Sequence, residues 1–263
     1  MERLCVHTMT TRPLSLEECV SEYPSRGVRG ITVWRNALEG RDLSVSARLL
    51  HGSGLEVVSL CRGGFFAAIE GEVRRRALDD NRLAIEQAHA IGAPTLVLVC
   101  GSVPGQALEV SRGQIAEGIA AVLPDAVSAG VRLLIEPLHP MYAGDRSAVN
   151  TLRQANAICD LLGSPEGLGI AVDVYHVWWD PELREMVDVT ARAGRLDAFH
   201  LCDWLTPTDD LLNDRGLMGE GCIPLAQING WVDAAGFRGF KEVEIFSDRW
   251  WGEDQGVFLD RIV

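Results

Sequence analysis

No apolar run in this 263-residue chain approaches the roughly 20 residues that cross a bilayer, so no helical membrane span and no membrane partner are expected. The opening stretch MERLCVHTMTTRP has no long apolar segment, and no secretory signal is expected. No CxxC pair occurs among the seven cysteines, Cys5, Cys19, Cys61, Cys100, Cys159, Cys202 and Cys222. An odd, scattered set speaks against a disulfide framework or a zinc cluster, and for reduced thiols in a cytoplasmic protein. Positive charge is in short supply: 24 Lys and Arg stand against 37 Asp and Glu, a net charge of −13. Such a balance repels phosphate backbones and argues against a nucleic-acid partner. The glycine-rich GxGxxG fingerprint is absent, which weighs against a doubly wound dinucleotide-binding sheet. Linkers and low-complexity runs are absent too, so one domain over residues 1–263 is expected.

What is present is an alternation of short apolar runs and amphipathic segments. Strands are predicted at 4–7, 30–33, 55–60, 94–100, 131–136, 168–172, 196–201 and 240–246. Helices are predicted between them: one after the capping Ser15, one from Asp42 to about residue 51, then 74–91, then one within 105–129 interrupted near Pro124. Further helices are expected at 150–162, from Pro181 to residue 193, at 223–235 and from 253 onward. Eight strand–helix repeats are the pattern of a single (β/α)8 barrel, in which the strands' C-terminal ends carry the chemistry.

Four runs end in an ionisable residue: RLLIE at Glu136, GIAVD at Asp173, LDAFH at His200 and EVE at Glu244. An ionisable group at the end of a buried run is costly unless it is paired or coordinates something. Strand parity puts Glu136 on the face of Leu134, Asp173 on that of Ala171 and Gly169, and His200 on that of Ala198 and Leu196. Glu244 shares a face with Glu242, the one awkward neighbour. Adjacent strands lie about 5 Å apart, so four neighbouring side chains reach one ion. Three carboxylates and an imidazole form a hard site, expected to hold Mn²⁺ first, with Mg²⁺, Co²⁺ or Zn²⁺ as alternatives.

The motifs IEPLHP, DVYHVWWD, HLCDW, DRGLMGEG and EVEIFS resemble those of the xylose-isomerase-like TIM-barrel superfamily, most strongly from Leu133 to Trp251. The resemblance implies sugar or sugar-phosphate isomerase or epimerase activity, with Glu136, Asp173, His200 and Glu244 as metal ligands and His176 as a substrate contact. The turn Gly219-Glu220-Gly221 is similar to the family's glycine-bounded turn. Two positions depart from its ketose 3-epimerases: Tyr142 stands where they carry a second glutamate, and Thr206 where they carry an arginine. Arg215 or Arg146 is the expected replacement for that cation. The segments HPMYAGDR and LLNDRGLMGEG are more similar to a branch whose relatives act on 3-oxo-glycosides, as C-glycoside deglycosidases do.

A metal that chelates a carbonyl and a neighbouring hydroxyl favours loss of the α-proton and an enediolate intermediate. Glu136 and Glu244 are the expected catalytic carboxylates, one taking the proton and the other flanking the substrate. A leaving group β to the carbonyl turns the same enolisation into a lyase reaction. His176, His139, Arg215 and Trp204 are expected to bind a carbohydrate substrate, with His139 equally readable as an ordinary loop residue. Arg62, beside Gly63-Gly64, suits an anionic substrate. His7 reads as a pocket wall, and His51 and His89 as helix residues. Trp34, Phe65, Phe66, Trp178, Trp179, Trp204, Trp250 and Trp251 all follow predicted strands, which suits either core packing or stacking on a sugar or aryl group. An apurinic-site endonuclease is a competing reading of the same barrel, and a non-catalytic partner subunit a third; homo-oligomerisation is left open.

Overall fold

The computed structural model describes residues 3–263; Met1 and Glu2, with which the expected domain begins, lie outside the described residues. The barrel strands are β1 Leu4–His7, β2 Gly30–Trp34, β3 Glu56–Gly64, β4 Thr95–Val99, β5 Arg132–Glu136, β6 Leu168–Asp173 and β7 Leu196–Leu201. A short ribbon, β8 Asp203–Trp204 and β9 Arg215–Gly216, precedes the last barrel strand, β10 Lys241–Val243. The barrel is closed in the order β1-β10-β7-β6-β5-β4-β3-β2, and its neighbours pair in parallel. The helices are α1 Leu16–Ser25, α2 Leu43–Gly52, α3 Gly71–Ile91, α4 Leu108–Ser128, α5 Leu152–Leu161, α6 Val174–Val177, α7 Leu183–Arg192, α8 Leu225–Ala234, α9 Asp248–Trp251 and α10 Gln255–Ile262. This is a single (β/α)8 TIM barrel, as the alternation predicts.

Local chemistry explains the helix starts. Ser15 and Glu18 form a reciprocal capping box at α1, and the Asp42 carboxylate accepts from the backbone of Ser44 and Val45 at α2. Gly92 closes α3 with φ 76°, a conformation that glycine adopts without steric cost. Strand burial matches the apolar runs: β6 is buried throughout.

Several boundaries differ from the sequence reading. α4 runs unbroken through Pro124, because the flanking turns remain packed on the barrel through Ile119, Val122 and Ala126. α3 begins at Gly71, three residues before Arg74. β3 continues past residue 60 to Gly64, where a side chain has no room: a Cβ at Gly64 would lie 1.9 Å from the Val99 carbonyl oxygen of β4. β10 is shorter than 240–246, so Glu244 lies just beyond the strand. Pro181 precedes α7 instead of opening it.

The facing predicted from parity holds inside the barrel. Leu134, Ala171 and Ala198, each two residues before a candidate ligand, pack with Cys61 and Val97 as one buried layer. The candidate site sits on top of that layer. No helix among the described residues is long and apolar enough to cross a membrane. All seven cysteines are free, six of them buried and Cys222 exposed.

Candidate metal centre

Glu136 ends β5, Asp173 ends β6, His200 is the penultimate residue of β7 and Glu244 follows β10. These four strands are consecutive around the barrel. One ligand-capable atom from each of the four side chains lies within 4.8 Å of the others, and all four residues are buried. Asp173 and His200 are directly paired across the β6–β7 register.

The polar atoms there are not satisfied by the protein alone. Glu136 Oε1 and both ring nitrogens of His200 are buried without a hydrogen-bond partner. His200 Nδ1 lies 3.1 Å from Glu136 Oε1, close enough for attraction but misaligned for a hydrogen bond. Orphaned buried acceptors are rare unless something else completes them. Three carboxylates and an imidazole with free lone pairs fit a hard or borderline divalent cation.

Charge compensation within the chain comes from Arg215. Its Nη1 donates to Glu244 Oε2 at 2.8 Å and to Asp173 Oδ2 at 3.1 Å, and the residue is 3 % exposed. The guanidinium is stacked over Tyr175 and Phe246 at 4.3 and 4.9 Å. Burial drives the Asp173 carboxyl up to about 8, against the lowering effect of Arg215, with the Glu244 and Glu136 charges adding to the rise. Glu244 is held well below the usual carboxylate range: burial opposes this, but Arg215 and His7 outweigh it. Burial disfavours a charged His200, yet Glu242, Glu136 and Glu244 lift it to about 10.

Of the expected substrate contacts, His176 lies at the pocket wall, with Nε2 3.6 Å from Asp173 Oδ2 and 3.4 Å from Arg215 Nη2. Burial and the Arg215 charge push its pKa well below the ordinary histidine value, so the ring is neutral. Arg215 and Arg146, the two expected replacements for a cation at Thr206, both line the same pocket. His139 and Trp204 are placed differently: neither lines that pocket, and their rings pack together at 5.0 Å. Trp204 stacks on Tyr175 at 4.7 Å, so it reaches the site only through Tyr175 and Arg215. Among the other aromatics, Trp34 and Phe246 line the pocket, whereas Trp250 stacks on Phe258 and Phe66 is buried in the core.

Two residues carry more than the sequence reading assigned them. His7 is fully buried, with Nε2 3.2 Å from Glu242 Oε2 and Nδ1 3.1 Å from Glu244 Oε1. It ends β1, as read from the sequence, but it does not line the pocket wall; its place is beneath, against Glu244 and Glu242. The awkward Glu242 is explained by the same contact and by a 2.6 Å hydrogen bond from Thr32 Oγ1. Asp203 follows β7 with no sequence signal of its role. Buried after β7, it accepts from Trp204 N, Gly219 N and Ile223 N at 2.8, 2.9 and 3.0 Å, which ties the glycine-bounded turn to the barrel. A Cβ at Gly221 would lie 2.1 Å from the Trp204 carbonyl oxygen, so that turn needs glycine there.

The pocket above the four ligands encloses about 220 Å³ and is walled by Met9, Trp34, Val99, Leu138, Tyr142, Leu212 and Phe246, with Glu136, Glu244, His176, Arg62, Arg146 and Arg215 as its polar groups. The 203–222 segment roofs it: Leu212 lines the pocket, and the Tyr142 and Tyr175 hydroxyls donate to the Leu211 carbonyl at 2.5 and 3.1 Å. A cleft of about 440 Å³ adjoins it and shares Met9, Trp34 and Arg62.

The family model for the xylose isomerase-like TIM barrel matches residues 23–261. A protein of Sinorhizobium meliloti 1021 has a crystal structure 45 % identical to this chain, with a TM-score of 0.95 over 99 % of this chain and 96 % of that one. The IolI protein, crystallised with a bound zinc atom, is 19 % identical, with a TM-score of 0.85 over 99 % and 95 % of the two chains. The 3-keto-D-glucoside 4-epimerase YcjR of E. coli is 15 % identical, with a TM-score of 0.79 over 100 % and 98 %. No curated protein sequence matches the chain.

Proposed function

The chain belongs to the xylose isomerase-like TIM barrel family, and from that premise we propose that it is a divalent-metal-dependent sugar isomerase or epimerase. The observation that carries this reading is the convergence of Glu136, Asp173, His200 and Glu244, with orphaned buried polar atoms, beside a pocket of about 220 Å³ that Glu136 and Glu244 line. IolI, crystallised with zinc, and the 3-keto-D-glucoside 4-epimerase YcjR share this fold and support the reading. Mn²⁺ remains the ion we expect, with zinc, Mg²⁺ and Co²⁺ as the alternatives. Bound there, a divalent ion would polarise a substrate carbonyl and favour ionisation of the adjacent C–H.

The chain's own residues supply the rest. Glu136 and Glu244 reach the pocket from β5 and from beyond β10, so they flank a substrate from two sides. One carboxylate takes the proton α to the carbonyl, leaving an enediolate. Reprotonation on the other face gives an epimer, and reprotonation on the neighbouring carbon gives an isomer. Neutral His176 can hold a substrate hydroxyl without adding charge. Arg215 keeps Glu244 ionised, and therefore able to act as a base or ligand. The apolar wall and the roof formed by the 203–222 segment exclude water from the intermediate.

The adjoining cleft favours a second reading. It gives room for a group attached to the sugar, so a 3-oxo-glycoside could enolise and expel that group by β-elimination. Substrates deuterated at the α-carbon test both readings together. A panel of ketoses and 3-oxo-glucosides should contain one that shows a primary isotope effect on conversion by the metal-loaded protein. Product analysis then separates epimer or isomer from released leaving group. Cleavage of an abasic-site DNA duplex, lost in Asp173→Ala, would instead identify a nuclease.

A further inference from the structure

Two arginines in the pocket have no acid to answer them. Arg62, on β3, and Arg146, on the segment after β5, both line the pocket that holds Glu136 and Glu244. Arg215, the third guanidinium there, is committed to Asp173 and Glu244. Arg62 and Arg146 form no ion pair among the described residues. Their planar groups are held by aromatic faces instead, Arg62 over Phe65 at 4.4 Å and Arg146 over Tyr142 at 5.2 Å. Both residues are half-buried.

The other arginines that form no ion pair among the described residues, such as Arg29, Arg48, Arg184 and Arg261, are exposed, whereas Arg62 and Arg146 are half-buried. Of its 24 basic residues, many others are spent on surface ion pairs, among them Arg26, Arg35, Arg41, Arg74, Arg75, Arg82 and Arg153. Acidic residues are in excess, so leaving two guanidiniums unpaired in the pocket is not forced by a shortage of partners. Burial, with Arg146 and Arg35 nearby, pushes the Arg62 pKa down, although Asp80 acts in the opposite direction. Rigid, aromatic-backed guanidiniums are suited to bidentate recognition of planar or tetrahedral oxyanions.

We propose that Arg62 and Arg146 form an oxyanion-binding subsite, so that the substrate is an acidic sugar carrying a carboxylate or a phosphate ester. This rests on reading the pocket as the substrate pocket. The anionic group would lie toward β3 and β4, across the pocket from His176 and Arg215, and Arg62 also borders the cleft of about 440 Å³ into which a longer substrate extends. Pockets for small ligands occupy roughly 300–1,000 Å³, so pocket and cleft together suit a substrate larger than a bare hexose.

Binding, not turnover, tests the subsite, and so keeps its fate separate from that of the proposed reaction. Calorimetric titrations of the purified protein with inorganic phosphate, gluconate and the neutral polyol glucitol should show one of the two anions binding at least tenfold more tightly than glucitol. Arg62→Gln and Arg146→Gln should each weaken that anion at least tenfold and glucitol by far less, and rising salt should weaken the anion selectively. A preference for phosphate assigns the ester, and one for gluconate the carboxylate. Equal binding of all three probes, or anion binding unchanged in both variants as expected for direct attachment to a metal, would overturn the proposal. If either variant unfolds, Arg62→Lys and Arg146→Lys, which keep the charge and lose the fork, should retain part of the affinity; no change from wild type would again overturn it.

Discussion

Arg215 reaches 2.8 Å from Glu244 in the barrel mouth and carries Asp173 on the same nitrogen, so one guanidinium answers two candidate metal ligands. In Arg215→Met, the buried Glu244 carboxylate loses its counter-charge and Asp173 loses a hydrogen-bond donor. Breaking a buried pair from one side costs about 3–5 kcal/mol. We expect the metal-free variant to unfold at correspondingly lower denaturant, and added divalent metal to restore more stability than it adds to wild type. Equal stabilisation of both proteins by metal would show that Arg215 does not compensate the ligand charges.

Metal retention separates the ligands from their neighbours. Asp173→Ala and Glu244→Gln should lower the metal content found by elemental analysis from one ion per chain to background. Glu242→Gln should keep the ion and lose about 1–3 kcal/mol of stability, because Glu242 is engaged by His7 and Thr32. A Glu242→Gln protein that is stable but metal-free would move the site one layer down the barrel, to the His7, His200 and Glu242 group.

His176 and His200 differ in the same way. His200→Ala should lose the metal, whereas His176→Ala should keep it and lose about 100-fold or more in turnover. Similar metal loss in both would exchange their roles. His139→Ala should affect rate more than metal content, and less than His176→Ala does, because His139 does not line the pocket.

The metal's effect on stability should grow with pH. In the metal-free protein His200 is raised to about 10 and Asp173 to about 8, so each holds a proton that the unfolded chain has released. Between pH 7 and 9 the folded state therefore binds more protons, and metal-free stability falls as pH rises. Glu244 and Glu242 are lowered, and their windows lie below the ordinary carboxylate range, outside this interval. Metal binding needs those protons gone, so it strengthens over the same interval. The melting-temperature difference between metal-loaded and chelated protein should widen from pH 7 to pH 9. A difference that stays constant or narrows would mean that the ligands carry no excess protons.

Much of the fold was legible because its signals are local. Runs such as Leu133–Ile135 and Ile170–Val172 need only their neighbours to read as buried strands, and Ser15 and Asp42 mark helix starts through contacts two or three residues away. Boundaries that depended on packing were read less well: β3 continues to Gly64 because β4 lies against it, and Pro124 stays within α4 because the barrel holds the helix on both sides. The substrate-binding expectation for Trp204 came from its place after a strand, but Tyr175 lies between it and the pocket cation.

By itself, the sequence determined eight strand–helix repeats and four strand ends bearing Glu136, Asp173, His200 and Glu244, because a period of two and an ionisable residue closing an apolar run are properties of a few consecutive residues. Tertiary structure alone decided which other residues meet them. Barrel closure pairs β1 with β10 and so brings His7 to Glu242 across 235 positions, while the ribbon after β7 delivers Arg215 to Asp173 across 42. The same closure leaves Arg62 and Arg146 lining the pocket with no ion pair among the described residues. Register and loop path set these meetings, and both follow from the packing of the whole barrel; no short stretch of chain encodes them.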